Sequence, residues 1–138
     1  MKATKLAYVV EDDRITATIT KFILEKDLHY RAVQTFGNGQ LAFDQLRAAL
    51  QAGASMPDLI LLDLNMPLMD GWEFLDAFST LPLVQPVRVF ILTSSIQPED
   101  MEKARQYQPV IGYFSKPLGK ENVQRMQSLL CQAGDEPR

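Results

Sequence analysis

Two groups of acidic side chains stand directly after apolar runs in this 138-residue chain. Residues 11–13, Glu-Asp-Asp, follow the apolar run 6–10, and Asp63 follows the apolar run 59–62. Carboxylates held within a few ångströms of one another repel, and without a counter-charge at least one of them takes up a proton. A hard divalent cation relieves that repulsion, because Mg²⁺ prefers oxygen ligands. The two groups together predict one divalent-cation site, if the fold brings them together.

A hydroxyl group and an ammonium group occupy comparable positions further along the chain. Thr93 ends an apolar run and is followed by Ser94 and Ser95, and Lys116 ends another run before Pro117. A hydroxyl can hydrogen-bond an oxyanion, and an ammonium can offset the acids and contact a phosphoryl oxygen. Each residue also has an ordinary interpretation, a Ser/Thr turn for the hydroxyls and a solvated surface lysine for Lys116. The Lys116–Pro117 bond is open to either isomer, although only a small minority of such bonds are cis.

The acidic residues after the first run have a structural alternative as well. Asp12 or Asp13 can accept backbone N–H groups as the N-cap of a following helix. The residues alone leave capping and metal binding open for this pair. The presence of Asp63 at a second apolar run favours the metal site.

The chemistry-bearing residues lie at the ends of elements that alternate regularly. Five short apolar runs are typical of strands, at about 6–10, 30–35, 59–63, 87–93 and 111–115. A helical pattern follows each run. The first of these helices carries Ile15, Ile19, Phe22 and Ile23 on one face, and the others lie at about 39–50, from 71, from 98 and at about 120–131.

This alternation predicts the fold. Repeated strand–helix units imply parallel strands, because each helix is a right-handed crossover that returns the chain to the same edge. We therefore predict an α/β fold, a flavodoxin-like doubly wound sheet of five parallel strands with helices on both faces. The order 2-1-3-4-5 fits best, since the second strand is the least apolar and suits an edge. The first and third strands are then neighbours, which would bring Glu11, Asp12 and Asp63 into one crevice.

Composition places the chain among ordinary globular domains and excludes some partners. Apolar residues make up 46% of the chain and the net charge is −3, so no basic face for direct DNA binding is expected. We predict one domain over residues 1–138, with a core at about 5–131, tails at 1–4 and 132–138, and no output domain.

The expected location of the protein follows from its apolar segments and its cysteine content. No apolar segment is long enough for a signal peptide or a membrane span, so no membrane partner is expected. The single Cys131 excludes an internal disulfide, and we expect a cytoplasmic location. The single histidine, His29, lies near the second strand, away from the predicted crevice.

The chain resembles the receiver domain of two-component response regulators over essentially its whole length. Its most specific match is the string 63–71, Asp-Leu-Asn-Met-Pro-Leu-Met-Asp-Gly, in which Asp63 matches the phospho-accepting aspartate. The other matching residues are the acidic pair Glu11 and Asp12, the switch hydroxyl Thr93, the switch aromatic Tyr113, and Lys116 with its following Pro117.

The resemblance implies a stand-alone signalling switch with Mg²⁺ as its cofactor. Asp63 would take a phosphoryl group from a sensor histidine kinase or a histidine phosphotransfer protein. Mg²⁺ would be held by Asp12, Asp63 and the backbone carbonyl of Asn65. Glu11 would act through a water molecule.

The resemblance also implies how the signal leaves the site. Lys116 would contact another phosphoryl oxygen, and Thr93 would move towards the aspartyl phosphate. Tyr113 would turn into the space that Thr93 leaves. The face made by the fourth helix, fifth strand and fifth helix would then be read by a downstream protein, and the same face is a possible homodimer contact. Asn65 and Ser95 would tune the lifetime of the phosphate.

Three alternatives stay open beside this function. The chain could be a phosphate relay or sink, or a receiver-like binding module that acts without phosphorylation. A phosphohydrolase of the haloacid dehalogenase type is disfavoured, because that family wants an aspartate two residues after the nucleophile, where this chain has Asn65. In the preferred interpretation the protein is no enzyme beyond its own phosphorylation and dephosphorylation.

Overall fold

The chain folds into a five-stranded parallel sheet covered by helices on both faces. The computed structural model describes residues 5–134, with side chains described as far as Cys131. The strands are β1 (Leu6–Val10), β2 (Ala32–Phe36), β3 (Leu59–Leu62), β4 (Arg88–Thr93) and β5 (Val110–Ser115). The helices are α1 (Arg14–Lys26), α2 (Gly39–Ala52), α3 (Gly71–Phe78), α4 (Pro98–Ala104) and α5 (Lys120–Gly134). The order β2-β1-β3-β4-β5, with every pair parallel, confirms the predicted fold class and topology.

The two apolar layers follow from the alternation of side chains along each strand. In β3, Ile60 and Leu62 face the layer formed with α2, α3 and α4, whereas Leu59 and Leu61 face α1 and α5. All four residues of β3 are buried, as expected for a central strand. Layers on both sides hold the strand ends in fixed positions, and the crevice is built on those ends.

The edge strand begins later than predicted. The sequence suggested residues 30–35, but β2 spans Ala32–Phe36. The Tyr30 N–H donates to the Leu24 carbonyl at 3.0 Å, and the Ala32 N–H donates to the Lys5 carbonyl at 3.2 Å. Buried Tyr30 therefore closes the turn after α1 before the strand pairing starts. The other strand bounds agree with the prediction to within one residue.

The apolar face predicted for α1 is not the face that packs on the sheet. Ile15, Ile19 and Phe22 are 71%, 51% and 59% exposed, and only Ile23 of the four predicted residues is partly buried. The buried residues of the helix are instead Ala17, Thr20 and Leu24. These positions are spaced as one helical face, and the small side chains of Ala17 and Thr20 let α1 lie close to the sheet. The large apolar side chains are consequently left on the outer surface.

The structure also bears on the predictions for the chain ends and for His29. Of the predicted tails, 1–4 and 132–138, residues 1–4 and 135–138 lie outside the described residues, and α5 continues to Gly134 rather than ending at Cys131. His29 is exposed and lies before β2, at the sheet edge opposite the crevice. Within residues 5–134, the helices fall short of the length and apolar character that crossing a bilayer requires.

Candidate functional site

The sheet register brings the two acidic groups together. Val10 at the end of β1 pairs with Leu62 at the end of β3, so the residues that follow them emerge side by side. The Asp63 N–H donates to the Val10 carbonyl at 3.0 Å, which extends the pairing by one step. Glu11 and Asp63 are each 5% exposed. Two carboxylates distant in sequence therefore share one buried crevice.

The sequence left helix capping and metal binding open for Asp12 and Asp13, and the two residues differ in the structure. Asp13 is the N-cap of α1, and its carboxylate accepts from the Thr16 N–H at 3.1 Å and from the Thr16 hydroxyl. Both hydrogen bonds lower the Asp13 pKa. Asp12 is exposed, and carboxylate oxygens of Glu11, Asp12 and Asp63 all lie within 4.8 Å of one another. Capping thus takes Asp13 and leaves Asp12 in the acidic cluster.

Lys116 supplies positive charge to this cluster from the end of β5. Its Nζ lies 2.6 Å from Glu11 Oε1 and 3.1 Å from Asp63 Oδ2, and the Lys116–Pro117 bond that follows is cis. Burial lowers the Lys116 pKa, but hydrogen bonds to Glu11 and Asp63 outweigh burial and leave that pKa above its ordinary value. Burial raises the Glu11 pKa, and the Lys116 hydrogen bond offsets this only in part. Burial is therefore the main reason why the pKa of Glu11 stays above its ordinary value despite the neighbouring ammonium.

The donor set fits a hard divalent cation. The three side chains that converge here offer carboxylate oxygens, the type that Mg²⁺ and other hard cations bind. Three carboxylates face one ammonium, which leaves charge for a cation to neutralise. Asn65, whose backbone carbonyl was predicted as a further ligand, is exposed beside the crevice, and its N–H donates to Asp63 Oδ1 at 3.4 Å.

The predicted switch residues, Thr93 and Tyr113, both hydrogen-bond to the backbone of Ser95. Thr93 is fully buried at the end of β4, the strand that pairs with β3. Its Oγ1 accepts from the Ser95 N–H at 3.4 Å, and the Tyr113 hydroxyl donates to the Ser95 carbonyl at 3.1 Å. Burial raises the Tyr113 pKa. Ser94, between Thr93 and Ser95, is exposed.

Gly71 shapes the site in a way that the sequence motif did not explain. A methyl group at Gly71 would lie 2.6 Å from the Asp63 backbone oxygen and 2.8 Å from the Leu64 Cα. The Gly71 N–H also donates to the Leu64 carbonyl at 3.0 Å. The start of α3 can therefore approach the Asp63 backbone only because Gly71 has no Cβ.

Gly71→Ala should accordingly destabilise the protein by about 1 to 3 kcal/mol, the usual cost of overpacking a tight contact. Urea unfolding of the variant and the wild type measures this difference. Gly37→Ala is the matched control, since a methyl group at Gly37 would meet no atom within 4 Å. Equal unfolding midpoints for Gly71→Ala and Gly37→Ala would contradict the close approach.

Known proteins share the fold of this chain and are similar to it in sequence. Residues 7–127 match the response regulator receiver domain family. The chain is 30% identical over 117 residues to the probable methanogenesis regulatory protein FilR2 of Methanothrix harundinacea, an alignment that covers 85% of this chain and 75% of FilR2. It spans only 32% and 24% of two further curated relatives.

Solved structures give the same picture. A two-component response regulator from Cytophaga hutchinsonii superposes with a TM-score of 0.75 at 29% identity, covering 94% of this chain and 98% of that one. The phosphorylated cyanobacterial phytochrome response regulator RcpA superposes with a TM-score of 0.76 at 30% identity. That superposition covers 94% of this chain and 93% of RcpA.

Proposed function

The chain belongs to the response regulator receiver domain family, and on that premise we propose that it is a phosphorylation switch in a two-component pathway. Asp63 receives a phosphoryl group from a histidine kinase or a histidine phosphotransfer protein, and the modified surface signals by contact with another protein. The observation that carries the proposal is the crevice itself, in which Glu11, Asp12 and Asp63 converge with Lys116. The similar RcpA is described in a phosphorylated form, which supports the same chemistry here.

The transfer requires a positioned nucleophile and charge stabilisation. An Asp63 carboxylate oxygen forms a bond to phosphorus while the donor's bond to that phosphorus breaks, and the leaving group departs with the electron pair. The Lys116 ammonium, 3.1 Å from Asp63 Oδ2, stabilises a phosphoryl oxygen that arrives beside this carboxylate. Exposed Ser94 next to the crevice presents little steric bulk to the incoming group.

A divalent cation completes this charge arrangement. Asp12, Asp63 and the Asn65 carbonyl would hold Mg²⁺, and Glu11 would contribute through a water molecule. When bound, Mg²⁺ neutralises the charge of the phosphoryl oxygens. Glu11 and Lys116 keep their ion pair inside the crevice, which orients the ammonium towards Asp63.

The switch follows from the new charge on Asp63. An aspartyl phosphate carries about two negative charges and additional acceptor oxygens. The Thr93 hydroxyl moves to donate to one of them and gives up its contact with the Ser95 N–H. Tyr113 then occupies the space beside Thr93, and the α4–β5–α5 face changes shape. That face as a homodimer contact stays a prediction.

Two assays separate this function from its enzymatic alternative. A receiver should be labelled stoichiometrically by acetyl phosphate in the presence of Mg²⁺, and should show negligible steady-state hydrolysis of a chromogenic phosphate ester. Continuous turnover of the ester would instead favour a phosphohydrolase. Absence of labelling together with absence of turnover would favour a binding module that acts without phosphate.

The exposed apolar face of α1 is the surface we propose for the phosphodonor protein. Helix α1 begins at the crevice, directly after Asp12 and its cap Asp13, so a macromolecule that delivers phosphorus to Asp63 must cover its first turns. Ile15, Ile19 and Phe22 offer that partner a contiguous apolar contact. Small phosphodonors such as acetyl phosphate do not need this apolar surface of α1.

Ile15→Ser and Phe22→Ser should therefore each slow transfer from a phosphorylated histidine phosphotransfer protein by about tenfold, the effect of losing one central interface contact. Labelling by acetyl phosphate should be unchanged. Val84→Ser is the control, since Val84 is 92% exposed but lies between α3 and β4, away from α1. Parallel loss with both donors, or loss in the control alone, would contradict the assignment.

A further inference from the structure

Ser95 is a junction between the switch residues and helix α4. Its backbone N–H donates to Thr93 Oγ1 at 3.4 Å, and its carbonyl accepts from the Tyr113 hydroxyl at 3.1 Å. Its hydroxyl donates to Asp100 Oδ2 at 2.6 Å. Three different groups of one residue thus contact the buried hydroxyl, the aromatic switch and the first turn of α4.

The contact with Asp100 replaces an ordinary helix cap. The N-cap residue of α4, Gln97, makes no side-chain capping hydrogen bond. The Gln97 N–H instead donates to Ser95 Oγ at 3.5 Å, while the same hydroxyl donates to Asp100. The start of α4 is therefore tied to the β4–α4 loop through a single side-chain oxygen, that of Ser95.

The carboxyl end of α4 and the turn that follows it, which contains Tyr107, are attached to α3. The Tyr107 hydroxyl donates to Asp76 Oδ1 at 2.7 Å, and this hydrogen bond raises the pKa of Tyr107 to about 12. The Tyr107 ring stacks on Trp72 with a centroid separation of 6.0 Å, and Lys103 Nζ lies 4.5 Å from the Trp72 ring centroid. With its carboxyl end held against α3, α4 can respond to the switch at its amino end.

We propose that Asp100 is a positioning residue that transmits the state of Asp63 to helix α4 through its hydrogen bond with the Ser95 hydroxyl. The inference rests on the proposed phosphorylation of Asp63 and identifies how that site is coupled to the output face. When Thr93 turns to the phosphoryl group, the Ser95 N–H loses its acceptor and the loop shifts. Asp100 carries that shift into the first turn of α4, because the Ser95 Oγ–Asp100 bond is short and charge-assisted.

The test is a set of variants compared by backbone amide NMR, with and without Mg²⁺ and beryllofluoride as the phosphoryl mimic. In the wild type, amides near the site (Asn65 and Ser94) and amides of α4 should both shift. Asp100→Ala and Ser95→Ala should retain the shifts near the site. Their α4 shifts should fall to a minor fraction, since losing one charge-assisted hydrogen bond changes the α4 equilibrium by about tenfold.

Three further variants distinguish transmission from a general effect on the helix. Asp100→Asn should restore most of the α4 response, because its amide oxygen still accepts from Ser95. The Ser95→Ala/Asp100→Ala double variant should match either single variant, as expected for two residues acting through one contact. Glu99→Ala removes the neighbouring negative charge from the same turn and should respond like the wild type.

Wild-type α4 shifts in Asp100→Ala, or additive losses in the double variant, would overturn the inference and leave the proposed function standing. A wild type that shows no shifts near Asp63 and no acetyl phosphate labelling would contradict the proposed function itself. The two failures are therefore distinguishable in one series of spectra.

Discussion

Asp63→Asn is expected to fold like the wild type and to lose all labelling by acetyl phosphate. The amide preserves the size of the side chain but removes the anionic nucleophile. The free energy of unfolding of the metal-free protein should change by no more than about 1 kcal/mol, because a lost attraction to Lys116 is offset by lost repulsion with Glu11 and Asp12. Intact-mass spectrometry after incubation with acetyl phosphate and Mg²⁺ measures the labelling.

Asp44→Asn provides the control for this experiment. Asp44 lies on the exposed side of α2, so the same substitution there should leave labelling intact. Full labelling of Asp63→Asn would place the phospho-acceptor on another residue. Loss of labelling in both variants would point to a defect unrelated to the crevice.

Lys116→Ala is expected to destabilise the metal-free protein by about 2 to 4 kcal/mol at neutral pH, because it leaves charged groups buried without their partner. The Glu11 and Asp63 side chains are only 4% and 6% exposed, so solvent compensates little for the lost ammonium. Added Mg²⁺ should restore part of this stability, since it neutralises the same carboxylates. Urea unfolding with and without Mg²⁺ measures both effects.

The stability lost in Lys116→Ala should depend on pH in a definite direction. Glu11 already has a raised pKa in the fold, so its protonated form is favoured there and stability falls as pH rises through that pKa. Removing Lys116 strengthens this trend. The stability deficit of Lys116→Ala should therefore be largest at neutral pH and shrink as the pH falls towards about 4, where the Glu11 carboxyl is increasingly protonated in the folded chain. A deficit that is constant between pH 4 and pH 7 would contradict the role of Lys116 as the counter-charge.

Lys116→Ala should also reduce the structural response to beryllofluoride, because the ammonium no longer binds the mimic beside Asp63. Lys120→Ala is the matched control, since Lys120 is exposed at the start of α5. An undiminished response in Lys116→Ala, judged by amide shifts in α4 and β5, would remove Lys116 from the switch.

The fold could be predicted because its signals are local. Each strand is a short apolar run, and alternation with helices forces parallel pairing and right-handed crossovers. Because β2 is the least apolar strand, it was predicted at an edge of the sheet. The resulting strand order placed Glu11 beside Asp63. The string 63–71 around Asp63 supplied the most specific part of the resemblance to receiver domains.

The orientation of α1 could not be predicted in the same way. Ile15, Ile19 and Phe22 have helical spacing, but the spacing does not say whether such a face covers the core or a partner. The sheet selects the smaller Ala17 and Thr20 together with Leu24, because these allow close approach. An apolar face that remains exposed in the folded chain is a signal for binding rather than for folding.

Close contacts that depend on the path of a loop were also outside the reach of the sequence. The closeness of Gly71 to the Asp63 carbonyl depends on how α3 is set against the end of β3. The hydrogen bond between Ser95 and Asp100 depends on the path of one loop, and the two residue types do not predict it by themselves. Such features require three-dimensional coordinates, and they refine how the motif residues work.

The central claim is that distant carboxylates gather a divalent cation beside a nucleophilic Asp63. The most direct measurement is peptide mapping by mass spectrometry after treatment of the wild type with acetyl phosphate, with Mg²⁺ present or removed by chelation. We predict one phosphoryl group, on the peptide that contains Asp63, formed only when Mg²⁺ is present. Modification of a different residue, or equal modification of Asp63 after chelation, would contradict the claim.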